Sequence, residues 1–196
     1  MKKLIKLGFF AGMMLLSANA FGKDIDFSIS FAEVLNTKVE FKISNAQNVA
    51  LYLYNEAQNE VYSEKLQNES TIVKSYDLSN MPTGNYFLVA ESDGKIERYK
   101  ITVDNKKVLV NQTPVSAIVK PQYTMEGNRV KMYLPNTIGA VNVSVYDLQD
   151  NEYYQDKKNA QGELSMVFDL NPETSNSYVF NVEMDGNSFN KIISLK

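Results

Sequence analysis

The acid–base chemistry open to this chain rests on carboxylates. It has no histidine and no cysteine. There is therefore no imidazole base, no Ser-His-Asp triad, no thiolate nucleophile and no zinc or iron–sulfur site of the usual ligand types. The acids that crowd together in sequence are the pair Asp24 and Asp26 and the run Asp147, Asp150, Glu152 and Asp156. A glycosidase needs two carboxyls roughly 5–10 Å apart across a sugar cleft. These acids lie instead in turn-rich or alternating stretches, where solvated surface charge is the expectation. No catalytic residue is assigned, and the chain reads as non-enzymatic. Asp147, Asp150, Asn151 and Asp156 also offer hard oxygen ligands for calcium. Their spacing matches no EF-hand, so neither a metal nor another cofactor is expected.

Charge narrows the partners. There are 20 cationic and 23 anionic side chains, and the only arginines are Arg98 and Arg129. Nothing resembles the clustered basic face that a nucleic-acid binder needs. The first twenty residues carry Lys2, Lys3 and Lys6, then the apolar run Leu7–Leu16, then Ala18-Asn19-Ala20. A basic start, a short apolar centre and an A-x-A end predict a secretory signal peptide over residues 1–20. The apolar run is well short of the ~20 residues a membrane span needs, so no integral span is expected after cleavage. Without the three leader lysines, 17 cationic and 23 anionic groups remain, a net of −6 against −3 for the whole chain. An exported chain without cysteine has no disulfides, so each domain must be held by burial.

The elements that would position any site come from an internal repeat. Tyr54 aligns with Tyr146, Glu60 with Glu152, Tyr76-Asp77-Leu78 with Phe168-Asp169-Leu170, Tyr86 with Tyr178, Asp93-Gly94 with Asp185-Gly186 and Ile101 with Ile193, all 92 residues apart. Val39 and Val130 lie 91 apart, which puts one extra residue in a loop near Thr137–Gly139 of the second copy. Two homologous units are read, over residues 21–104 and 113–196, joined by a linker at 105–112. Apolar residues alternate with a period of two: Val39, Phe41, Ile43; Val49, Leu51, Leu53; Tyr86, Leu88, Ala90. That pattern predicts half-buried strands at about 25–32, 38–44, 48–54, 59–65, 70–77, 85–91 and 95–103 in the first unit. Seven short strands with frequent turn signals predict an all-β fold of two tandem immunoglobulin-like (fibronectin-III-like) antiparallel sandwiches. Tyr86 after Pro82-Thr83-Gly84, and Tyr178 after Pro172, fit the tyrosine corner of that topology.

The same residues carry a resemblance to a family. The segment Tyr76-Asp77-Leu78-Ser79-Asn80-Met81-Pro82-Thr83-Gly84-Asn85-Tyr86 resembles the C-terminal sorting domains of secreted Bacteroidetes proteins. In the second unit, residues 145–154 together with Phe168-Asp169-Leu170, Tyr178-Val179-Phe180, Asp185-Gly186 and Lys191-Ile192-Ile193 resemble them too. The resemblance implies a compact Ig-like sandwich, export through the type IX secretion system, and attachment to or release from the cell surface.

One surface stands out. If Val49, Leu51 and Leu53 face inward, Tyr52 and Tyr54 face out. On the sixth strand Phe87 and Val89 do the same. These four would form an apolar patch, whereas the matching positions of the second unit are Ser144, Tyr146, Val179 and Asn181. The expectation is an exported protein of the periplasm, cell surface or medium, whose patch either packs against the other domain or a loop or binds a cell-surface or envelope protein or glycan. Two alternatives stay open. The second unit could be a degenerate sorting signal, or the protein could be a periplasmic structural or chaperone component that accepts added strands.

Overall fold

The computed structural model describes residues 26–32, 34, 37–67, 70–105 and 107–195. The predicted signal peptide lies outside them. No helix occurs among the described residues, and so none is long and apolar enough to cross a membrane. The fold is all-β and antiparallel, and divides into two compact units, one of Asp24–Lys120 and one containing Pro121–Lys196.

The first unit is a two-sheet sandwich. One sheet has the order β1-β2-β5, from Ser28–Phe31, Lys38–Ser44 and Thr71–Asp77. The other has the order β4-β3-β6-β7-β8, from Glu60–Leu66, Val49–Asn55, Gly84–Glu91, Lys95–Asp104 and Lys107–Val110. All of these except β8 are strands that the period-two pattern predicts, within a few residues at each end. Burial follows the alternation: Val39, Phe41 and Ile43 are fully buried, while Lys38, Glu40 and Lys42 between them are exposed. Leu51, Leu88, Ile101 and Val103 of the second sheet join them in one core. Ring contacts tie the two layers, with Phe31 of β1 edge-on to Tyr99 of β7 at 5.1 Å and Tyr62 of β4 to Tyr76 of β5 at 5.5 Å.

The residues read as a linker contribute to this unit. β8 pairs with β7 from Ile101↔Val110 to Asp104↔Lys107. A further strand β9, Ser116–Val119, pairs with the other half of β7 from Lys95↔Val119 to Arg98↔Ser116. The physical reason lies at the sheet edge, where β7 would otherwise present a row of unpaired N–H and C=O groups. Val108 of β8 is buried in the core, a gain on the order of 1.5 kcal/mol for a side chain of that size.

The second unit uses the same plan with fewer breaks. Its strands are β10 Gln122–Glu126, β11 Arg129–Asp147, β12 Glu152–Asp169, β13 Ser177–Met184 and β14 Asn187–Ser194. β11 corresponds to β2 plus β3 of the first unit, and β12 to β4 plus β5. The segment near Thr137–Gly139, expected as a loop, is instead the middle of β11. The extra residue is absorbed as a register shift between Pro135 and Thr137. The shift reverses the inward parity from Val130, Met132 and Leu134 to Val141, Val143 and Val145, all buried. The long hairpin also bends sharply. In a straight strand Val130 and Val145 would stand about 50 Å apart. Yet their cross-strand neighbours Phe168 and Tyr154 are in edge-to-face contact at 5.3 Å. Asn136 and Gly139 on β11 and Gly162 on β12 have φ of 51°, 105° and 122°, and the two glycines meet the bend without a Cβ penalty.

Both tyrosine corners form. The Tyr86 hydroxyl donates to the Pro82 carbonyl at 2.9 Å, and the Tyr178 hydroxyl donates to the Asn171 carbonyl at 2.7 Å. Both side chains are buried. Tyr86→Phe and Tyr178→Phe should each lower stability in urea denaturation by about 1 kcal/mol, the net value of one intramolecular hydrogen bond. A change near zero for either would show that its hydroxyl is not needed to fix the corner.

Candidate functional site

The sequence-predicted patch assembles on the outer face of the larger sheet of the first unit. Cross-strand register places Tyr52 opposite Val89 and Tyr54 opposite Phe87. The Tyr52 and Tyr54 rings stack at 6.0 Å with an interplanar angle of 25°. All four residues are half-buried. Pairing with β7 and β9 widens the face. Ala50, Glu91, Ile96 and Ile118 form one cross-strand row, and Tyr52, Val89, Arg98 and Ser116 the next.

Arg98 was not singled out from sequence, although alternation with buried Tyr99 and Ile101 does point it outward. Its guanidinium carbon sits 3.8 Å from the centroid of the Phe87 ring, a geometry worth about 0.5–1 kcal/mol at such sites. One of its terminal nitrogens donates to Gln58 Oε1 at 3.2 Å, while its Nε is buried with no acceptor. Burial, then the negative charge of Glu60, pushes the Tyr54 phenol above its ordinary value, which favours its neutral form.

The stretch from Tyr76 to Tyr86 carries structure rather than chemistry. Asp77 Oδ1 accepts the Ser79 N–H at 3.0 Å, and this holds its carboxyl below the usual range. The Leu78 N–H donates to the Thr37 carbonyl, and Tyr86 closes the corner on Pro82. These are the turn and corner residues on which the resemblance to sorting domains rests.

Residues 35–104 match the secretion system C-terminal sorting domain. The match covers β2 through β7 of the first unit and stops before β8. The patch residues Tyr52, Tyr54, Phe87 and Val89 all lie inside the matched segment, whereas Ile118 lies beyond it. The second unit is outside the match. No curated protein matches the sequence. Among solved structures, the chain is similar to the BSP domain of a biofilm associated protein at 16% identity, covering 82% of this chain and 27% of that one, with a TM-score of 0.29. It is similar to a native alpha-2-macroglobulin fragment from Escherichia coli spanning domains MG0-NIE-MG1 at 14% identity, covering 88% and 65%, with a TM-score of 0.28. Bovine butyrophilin follows at 8% identity, 87% and 99% coverage and a TM-score of 0.27. The chain thus spans 27% of the first of these and 65% of the second.

Among the described residues the carboxylates do not converge. Asp26 accepts the Ser92 hydroxyl at 3.0 Å, and Asp24 lies outside the described residues. In the second unit Asp147 is 3% exposed, and both of its oxygens are engaged within its own hairpin turn. Oδ1 accepts the N–H groups of Gln149 at 2.9 Å and Asn151 at 3.0 Å. Oδ2 accepts the Asn151 amide and the Tyr153 hydroxyl, both at 2.9 Å. Asp156 lies further along β12 and pairs with Lys158. No group of three or more potential metal ligands forms among the described residues. The first unit repeats the turn with an amide, as Asn55 Oδ1 accepts the Asn59 N–H at 2.9 Å.

These hydrogen bonds, that of the Asn151 side chain foremost, lower the Asp147 pKa to about 2. A carboxylate depressed in the folded state adds stability above its unfolded pKa of about 3.9, and that contribution is lost as pH falls through the folded value. Wild type should therefore lose more thermal stability than Asp147→Asn between pH 5 and pH 2, and the gap between them should close at the acid end. A gap that is the same at both pH values would show that the turn does not depend on the ionised form.

Proposed function

We propose that this protein is exported and acts without catalysis, attaching at the cell envelope through the outer face of its first unit. The observation that carries this reading is the contrast between two faces built on one plan. Where the first unit has Ala50, Tyr52, Val89 and Ile96, the second has Asn142, Ser144, Asn181 and Ser188. An apolar face on one copy and a polar one on the other has no cause in the core, which both copies fill alike. Contiguous apolar surface of this kind marks an interaction site.

The geometry favours a protein partner over a glycan at this face. A sugar stacks on an open ring face. Here the Phe87 face is covered by Arg98, and Tyr52 and Tyr54 stack on one another. The face also offers ring edges, aliphatic carbon and guanidinium donors, the mixture enriched at protein interfaces. Export is supported by the sorting-domain match. That match falls on the first unit, which favours a second reading in which this unit also serves as a type IX secretion address. The intact mass of the protein recovered separately from periplasm, cell surface and medium separates the two, because an address label is removed or retained according to compartment.

The binding reading is tested with Tyr52→Ser combined with Phe87→Ser. Retention on the envelope fraction should fall by more than tenfold, as for loss of an interface hot spot of about 2 kcal/mol, while urea unfolding stays cooperative. Unchanged retention would remove the face from the binding site. Loss of cooperative unfolding would show that these rings belong to the core.

A further inference from the structure

The second unit carries a different surface, independent of the apolar face. Its sheet runs in the order β12-β11-β13-β14. Register sets the outward side chains in rows across these strands. One row is Lys157, Asn142, Glu183 and Ser188, and the next is Gln155, Ser144, Asn181 and Asn190. A third row adds Tyr146, the buried Val179 and the exposed Ile192. At strand spacing, each four-strand row is about 14 Å long.

Three features set this grid apart from ordinary solvated surface. First, its composition opposes local preference. Asparagine is depleted in strands, yet Asn142, Asn181 and Asn190 occupy the outward positions of three neighbouring strands. An outward strand position needing only solubility is met by Thr, and a local preference set aside on three adjacent strands points to function. Second, the polar groups hold one another in place. The Asn181 amide donates to Ser188 Oγ at 2.8 Å and to Asn190 Oδ1 at 2.9 Å. The Tyr146 hydroxyl reaches the same Asn190 oxygen at 3.4 Å, and the Asn142 amide donates to Glu183 at 3.4 Å. The Asn190 amide nitrogen has two N–H donors and donates to no protein group among the described residues. Third, the surface dips shallowly on the grid, between Asn142, Ser144, Asp156, Lys157, Asn181 and Glu183.

The chemistry of the grid selects its ligand. Donors and acceptors alternate, the charges of Lys157 and Glu183 balance, and Asp156 is neutralised by Lys158. Beside these rows the Tyr146 ring and Ile192, which is 59% exposed, offer carbon. A sugar chain has the matching character, with hydroxyl edges that both donate and accept and with apolar C–H faces. We propose that this face of the second unit binds a neutral oligosaccharide, held by Asn142, Ser144, Asn181 and Asn190 against Tyr146. Side chains already fixed by their own hydrogen bonds reduce the ordering cost of binding.

The test titrates the full chain, ¹⁵N-labelled, with cellohexaose, xylohexaose, maltohexaose and chitohexaose at millimolar concentration. At least one should shift the side-chain amide resonances of Asn142, Asn181 and Asn190. Asn181→Ala should weaken that sugar about tenfold, the scale of one or two net hydrogen bonds, while urea unfolding stays cooperative. Ser144→Ala serves in its place if that variant does not fold. Tyr52→Ser with Phe87→Ser should leave sugar binding untouched, so this result stands or falls apart from the first-unit face. No shift with any of the four sugars, shifts confined to other surfaces, or full affinity in the folded Asn181→Ala or Ser144→Ala variant would overturn the proposal.

Discussion

Everything in this molecule depends on side chains that meet between two β-layers with no covalent tie to hold them. With no cysteine, each unit must keep its layers together by burial and a few directed hydrogen bonds. In the first unit Phe41 and Ile43 of one layer and Leu51, Leu88 and Ile101 of the other are fully buried. In the second, Phe168 and Phe180 meet edge to face at 5.1 Å. A one-residue slip of any such strand would turn its apolar side to water. The requirement therefore sets register, strand length and the positions where the chain can turn, and the corner tyrosines Tyr86 and Tyr178 secure the passage into the sixth strand.

The same requirement frees the outward positions. Alternation gives every strand one side that the core dictates and one that it does not. Duplication then yields two copies of the scaffold whose cores must stay alike while their outer faces need not. The outcome is a sheet face dominated by tyrosine, phenylalanine, valine and isoleucine in one copy, and in the other by rows of asparagine and serine beside Tyr146, Val179 and Ile192. Each suits a different chemistry of attachment, apolar burial in the first and hydrogen bonding in the second. The outward positions are thus where two copies of one scaffold are free to diverge without cost to the core.

The two copies also treat their strands differently. In the first, β2 and β3 are separated by a turn in which Asn45 and Asn48 take positive φ, and the segment after β7 folds back to cover the β7 edge. In the second, one added residue turns the corresponding break into a bend within β11. A continuous strand can pass between layers only where the backbone can leave the pleat, and Gly139 and Gly162 supply that freedom.

Much of this is legible in the sequence, because its causes are local. The strands, the inward sets, the outward placement of Tyr52, Tyr54, Phe87 and Val89, and both corner tyrosines follow from a period of two and from Pro, Gly and Asn at turns. Each of these depends on residues close together in the chain. What only the tertiary structure decides is adjacency. That β8 and β9 line β7, that Arg98 lies over Phe87, that β11 runs unbroken through its bend, and that three asparagines on three strands join one grid all depend on which strands are neighbours. Alternation tells a residue which side it faces but not what stands beside it, since pairing is settled by the long-range fit of two layers.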